Sequence, residues 1–307
     1  MLLFNILIGM ALVVILPADV YSQAQQVGAD GVTPVEQLQI DSLEYLTDQE
    51  EVPAWYDFVG NLPRDFGAFA GVVVDAKTIP TIVGLSALTI GLVASDHGTY
   101  KYSRNLYERS RAVSSVSDIL VSVGDGRSSL ILAGAFGVYG FAASDRRAIR
   151  TASQTLEALL ATGLLVQTFK RISGRESPSV ATSDGGRWRP FPSFKAYHEH
   201  QSEYHAFPSG HIATTMATVT VIAENYPEQG WIRPVGYSLV GLVGIGLVNY
   251  RWHWYSDLPL GIAVGYAFGK IVAHPGRSDE VGSSETGLTV TPMVNGYGSG
   301  FNVSLRF

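Results

Sequence analysis

The sequence predicts an all-α fold, a bundle of six helices followed by a short C-terminal β-hairpin. Three observations carry this expectation. Apolar runs of helical length recur from Ile79 onward. Clusters of glycine, proline and charged residues separate them. The chain then ends in a stretch that alternates apolar and polar residues around a glycine-rich turn. The composition agrees, with 46% hydrophobic and only 16% charged residues, below the roughly one quarter of charged residues usual in soluble domains. A net charge of −6 gives a nucleic-acid partner no support. The chain has no cysteine, which excludes disulfides and thiolate metal sites.

Residues 1–22 open with an uncharged run, Leu2 to Ala18, followed by small residues in "VYSQAQQ". They read as a signal peptide or an N-terminal anchor, and either exports the rest of the chain. Residues 23–57 are acidic, lack lysine and arginine, and read as a flexible linker. The helical domain is expected over 58–275. Its six helices are Ile79–Ser95, Ser128–Ala143, Thr151–Phe169, His211–Ala223, Val235–Tyr250 and Leu258–Val272. In the third, Leu156, Leu159, Leu160, Gly163 and Leu164 share one face. Breakers stand at "DGR" from Asp125, "SDRR" from Ser144, "GRESP" from Gly174, "YPEQG" from Tyr226 and "HP" at His274. After a linker at 276–286, residues 287–307 form the hairpin, with Phe301, Val303, Leu305 and Phe307 on one face. Two strands cannot close a barrel, so it is expected to pack on the helices.

The basic residues do not orient these runs across a membrane. Arg146, Arg147 and Arg150 crowd the connection before the third helix, and Lys101, Arg104, Arg109 and Arg111 crowd the one after the first.

Chemistry concentrates in three clusters at helix ends. "FPSGH" places Pro208, the N-cap former Ser209, Gly210 and His211 at the mouth of an apolar helix. Such a mouth offers unpaired N–H groups and a positive dipole end, which suit a phosphate. Gly210 permits close approach, and His211 can move a proton near neutral pH. "KRISGRESP", from Lys170 to Pro178, follows the third helix. "HWYSD" sets His253 and Asp257 four apart ahead of the last helix. A carboxylate there can accept the Nδ1 proton and leave Nε2 free to attack.

Together these residues resemble the type 2 phosphatidic acid phosphatase and vanadium haloperoxidase superfamily over roughly Thr151 to Val272. Its signatures are Lys-x6-Arg-Pro, Pro-Ser-Gly-His and Ser-Arg-x5-His-x3-Asp. The chain keeps Lys170 and Pro178 of the first, Pro208 to His211 of the second, and His253 and Asp257 of the third. The resemblance implies that His253 is the nucleophile, oriented by Asp257. It implies that His211 protonates the leaving oxygen while Lys170, Ser209 and the Gly210 N–H hold the phosphate. No cofactor and no metal are implied, and the substrate would be a phosphorylated lipid or small phosphoester at the cell envelope. Ser177 and the pair Gly246–Leu247 replace the two signature arginines. Arg175 is the first expected substitute, Arg251 the second and Arg171 the third. His198, His200 and His205 could bind a metal by spacing alone, but are read as a lid over the phosphate. A non-catalytic lipid- or phosphate-binding scaffold and a vanadate-dependent haloperoxidase are the rival functions.

Overall fold

A computed structural model describes residues 53–54 and 56–275, and the backbone of residues 288–295 and 298–305. The expected signal or anchor segment therefore lies outside the described residues, as do most of the acidic linker and the linker at 276–286. Among the described residues, ten α-helices succeed one another: α1 Asp57–Gly60, α2 Leu62–Val74, α3 Ile79–Arg109, α4 Arg111–Val123, α5 Gly126–Ala143, α6 Arg146–Ser173, α7 Phe194–Glu199, α8 Gly210–Asn225, α9 Ile232–Asn249 and α10 Leu258–Ala273. Single 3-10 turns stand at Gln201–Glu203 and Tyr255–Asp257. Beyond the bundle, Leu288–Asn295 and Gly298–Leu305 pair antiparallel, Leu288 opposite Leu305. The turn between them and the face expected to carry Phe301, Val303, Leu305 and Phe307 lie outside what is described.

Capping side chains set the helix starts. Ser110, Asp125, Asp145, Ser193 and Ser209 each accept a hydrogen bond from a first-turn N–H, which satisfies one of the orphan donors there. Gly174 ends α6 in the left-handed region at φ 53°, where an added Cβ would stand 1.8 Å from the Arg189 carbonyl oxygen. Only glycine fits that stop.

The long, mostly buried α8 runs through the middle of the bundle. A glycine every fourth residue on α10 lets that helix close on it. Cβ atoms at Gly261, Gly265 and Gly269 would collide with Ser209 O at 2.7 Å, Ala213 O at 2.2 Å and the Thr220 side chain at 2.6 Å. This close approach fixes the start of α10, and so Asp257, beside the start of α8. Ala161, Val166, Ala213, Val264 and Phe268 fill the space between α6, α8 and α10. Val121, Ile212, Met216, Val243 and Leu247 fill that between α4, α8 and α9.

The stretch between Ser95 and Ser128 corrects the sequence reading, because it is mostly helical rather than a loop. The first helix does not stop at Ser95 but continues to Arg109, and α4 begins after a single capping residue. Asp96 and Ser103 are buried on its inner face while the basic residues face outward, so the polar composition hides a continuous helix. Among the described residues two helices, α3 and α9, are long and apolar enough to cross a membrane, and α4 with α5 qualifies as a pair bent by 55°. Their outward faces are apolar: Ile90, Ile131, Val138 and Phe141 are 70–74% exposed.

Candidate active site

Ser209 caps α8, and its Oγ accepts from the Ile212 N–H at 3.4 Å. Its own N–H donates to the Asp257 carbonyl at 2.9 Å, tying the mouth of α8 to the start of α10. Lys170, in the last turn of α6, reaches over that mouth. A Cβ at Gly210 would lie 3.6 Å from its Nζ. Glycine therefore leaves the ammonium against the helix N-terminus. Burial pushes the Lys170 ammonium down to about 8, opposed by the Asp257 charge.

His211 and His253 meet at the same mouth, with Nδ1 of His211 3.4 Å from Nε2 of His253. His211 thus presents Nδ1, not Nε2, to the His253 ring. Trp252 backs the His211 ring at 5.1 Å between centroids. Nδ1 of His253 lies 2.8 Å from the Ala206 carbonyl oxygen and 3.5 Å from Asp257 Oδ2. Two acceptors on that side place the ring proton on Nδ1 and leave a lone pair on Nε2. Asp257 Oδ2 also accepts from the Trp254 N–H at 2.7 Å.

Burial, with the nearby His253 and Lys170 charges, lowers the His211 imidazole to about 3. His253 is lowered chiefly by burial, against the pull of Asp257. Burial works to raise Asp257, but the Arg175 charge and the His253 hydrogen bond outweigh it and hold the carboxyl below its ordinary range. Of the three-histidine cluster only His205 comes in. It is lowered to about 3 by burial and by the charges of Lys170, His253 and His211, and its Nδ1 is 3.5 Å from Ser177 Oγ. His198 bonds the Phe194 carbonyl and packs on the Phe194 ring, and His200 sits 3.9 Å from Glu203 on the surface. Among the described residues no three His, Cys, Asp or Glu side chains gather as a metal site.

The arginines sit differently from their expected places. Arg175 is wholly buried, and all five of its N–H donors are committed. Nε and one NH2 hydrogen go to the Gly185 carbonyl at 3.2 and 2.7 Å. The rest go to Asp96 Oδ2 at 2.7 Å, Ser256 Oγ at 2.6 Å and Asp257 Oδ1. No donor remains for a phosphate oxygen, so Arg175 stands behind Asp257 rather than in front of His253. Arg251 turns to the Ser179 carbonyl at 3.3 Å. Arg171 lies over the Tyr197 and Phe194 rings at 4.5 and 5.2 Å. Leu247, in an arginine position of the third signature, is fully buried in the apolar core.

Sequence reasoning missed Asp96 and Ser256. Ser256 Oγ donates to Asp96 Oδ2, and the Ser256 N–H donates to Oδ1 at 3.2 Å. The available signal was a lone carboxylate closing the uncharged run that begins at Ile79, since a buried charge in an apolar helix needs a partner.

A helical bundle with two imidazoles and a lysine at one buried helix mouth is thus the class of protein defined here. Residues 152–276 match the model of the PAP2 superfamily. A lipid A 1-phosphatase from Porphyromonas gingivalis is 34% identical over 67 residues, which is 22% of this chain and 15% of that relative. A solved transmembrane PAP2-type phosphatidylglycerolphosphate phosphatase from Bacillus subtilis is similar at a TM-score of 0.44 and 18% identity, covering 62% of this chain and 92% of that one.

Proposed function

We propose that this protein hydrolyses the phosphate ester of a lipid at a membrane surface, through a phosphohistidine. The observation that carries the reading is the 3.4 Å approach of His253 Nε2 and His211 Nδ1 at the mouth of α8, under the Lys170 ammonium. The match of residues 152–276 to the superfamily model and the short stretch shared with a lipid A 1-phosphatase support it.

In the first step the Nε2 lone pair of His253 attacks phosphorus. The ester P–O bond breaks, and its electron pair leaves on the alcohol oxygen, which takes a proton from His211. Nδ1–H stays on the Ala206 carbonyl and Asp257, which stabilises the positive charge forming on the ring. Water then attacks phosphorus, gives a proton back to His211, and the P–N bond breaks to restore His253. Lys170 and the first N–H groups of α8 hold the charged oxygens. Burial and neighbouring cations disfavour the His211 imidazolium. A phosphate dianion supplies the opposite charge, so substrate binding favours protonation of His211 from solvent, and that is the proton it donates.

The outward apolar faces of α3 and α9 fit a lipid environment, and a phosphorylated lipid would reach the site from it. One observation favours a second reading: with Arg175 tied to two carboxylates, the mouth of α8 keeps fewer cations than the signatures provide. A scaffold that binds phosphate without cleaving it would have this form. Phosphate release from a short-chain lipid phosphate, with chelator or vanadate added in parallel, separates them. Chelator-resistant, vanadate-sensitive release supports the phosphatase. Vanadate binding with no release supports the scaffold, and halide oxidation on vanadate loading would support a haloperoxidase.

A further inference from the structure

We infer that Asp96 of α3 is a positioning residue of this site, acting on His253 through Arg175 and Asp257. The inference rests on the phosphatase reading for its kinetic part only. Asp96, Arg175 and Asp257 are all fully buried. One guanidinium bridges the two carboxylates: NH2 meets Asp96 Oδ2 at 2.7 Å, and NH1 meets Asp257 Oδ1. Ser256 ties two of the three together, accepting from Arg175 and donating to Asp96. Asp96 thereby holds the Arg175 fork in one orientation, and the fork holds Asp257 by Oδ1. Oδ2 is then left turned toward the Trp254 N–H and His253 Nδ1. The bridge also sets the charge. One arginine between two carboxylates leaves one net negative charge behind His253, on the side where the ring must become positive. Without Asp96 the Arg175 charge would be balanced by Asp257 alone, and the field at His253 would turn less favourable to a cationic ring.

A buried carboxylate on a helix remote in sequence could equally serve only to hold α3 in place, so the test needs a readout that anchoring would not move. Asp96→Asn keeps the shape and removes the charge. The expected result is a fall in kcat of between about tenfold and a hundredfold, the scale of a misplaced catalytic group, with KM little changed. The titration of His253, followed by NMR of ring-labelled histidine without substrate, should move to lower pH. Ser103→Ala is the control: Ser103 Oγ and Tyr255 Oη, 3.0 Å apart, join the same helix to the same turn without charge. It should leave the His253 titration where it is in the wild type. A folded Asp96→Asn protein with an unmoved His253 titration overturns the inference, as does a Ser103→Ala protein that shifts it equally. If Asp96→Asn does not fold, the double variant Asp96→Asn/Arg175→Gln removes one charge of each sign. The net charge behind His253 is then unchanged, so position is the readout: a wild-type kcat in that protein overturns the inference. Should the wild-type protein release no phosphate, the phosphatase reading fails while the titration still decides the role of Asp96.

Discussion

The two ends of α8 solve opposite charge problems. At its start a single cation, Arg175, serves two buried carboxylates, Asp96 and Asp257. At its end a single carboxylate, Glu224, serves two cations and an imidazole: Arg233 at 3.2 Å, Lys270 at 3.0 Å and His274 at 3.0 Å. The far cluster is partly exposed and joins the ends of α8, α9 and α10, where cations also meet the negative pole of two helices. Its bonds fasten helices and call for no chemistry. The near cluster is dry and keeps a negative surplus directly behind an imidazole. Ion pairs therefore mean different things at the two ends, and under the phosphatase reading the sign of the leftover charge marks the end that works on a substrate.

The largest effect should come from removing the group that the surplus serves. His253→Ala is expected to lower phosphate release by at least about a thousandfold, the scale seen when a member of a catalytic unit is lost. The protein should remain folded by circular dichroism. Near-normal turnover would remove the nucleophile and break the comparison at its active end. Lys170→Ala ranks next. It is the cation placed against the mouth of α8, and its loss should cost on the order of a hundredfold in kcat/KM, as for one charge-stabilising donor. An unchanged rate would mean that the phosphate sits elsewhere.

How much of this contrast the sequence showed depends on the range of the interaction. The starts of α5, α8 and α10 are legible because their causes are local: Asp125 and Ser209 cap, and Pro259 stands in the first turn of α10. His211, His253 and Lys170 are legible because each lies at such an end. The continuation of α3 beyond Ser95 was not legible. Its inner polar face is buried by contact with the Tyr255–Asp257 turn and with Arg175, far along the chain. Arg175 was recognised as a needed cation but assigned to the phosphate, since nothing near it in sequence reveals Asp96, 79 residues away, as its partner. Local chemistry could be read; the sharing of one arginine between two distant carboxylates could not.

The far end should respond in stability and not in rate. Three partners outweigh the effect of burial and hold the Glu224 carboxyl down to about 2 against an ordinary value of 4.5. A depressed acid contributes stability that is fully present above its unfolded pKa and lost as pH falls toward its folded pKa. The window here is therefore about pH 4.5 to 2. Glu224→Gln should lower stability at pH 7 by about 1–3 kcal/mol, less than for a fully enclosed pair because the cations are partly exposed. The difference from wild type should shrink through that acid window in thermal melts, with kcat unchanged at neutral pH. A large drop in kcat without loss of stability would show that the two ends are not separate.

The smallest effect is expected at Arg251, which the sequence offered as a substitute phosphate ligand. Its backbone pins the loop beside the site: its carbonyl accepts from the Ser179 N–H at 3.1 Å, and its N–H donates to the Val248 carbonyl at 3.1 Å. Those bonds survive truncation. The side chain adds one bond to an exposed carbonyl at 3.3 Å. Arg251→Ala should thus change kcat/KM by less than about threefold and stability by about 0.5 kcal/mol or less. Arg251→Gly should do something alanine cannot. Position 251 adopts φ 71°, in the left-handed region, where glycine carries no Cβ penalty, so this variant should melt higher by the equivalent of about 1 kcal/mol. A tenfold loss of kcat/KM in Arg251→Ala would instead return Arg251 to the phosphate, and the catalytic end would then hold a second working cation in front of His253 as well as the bridging one behind it.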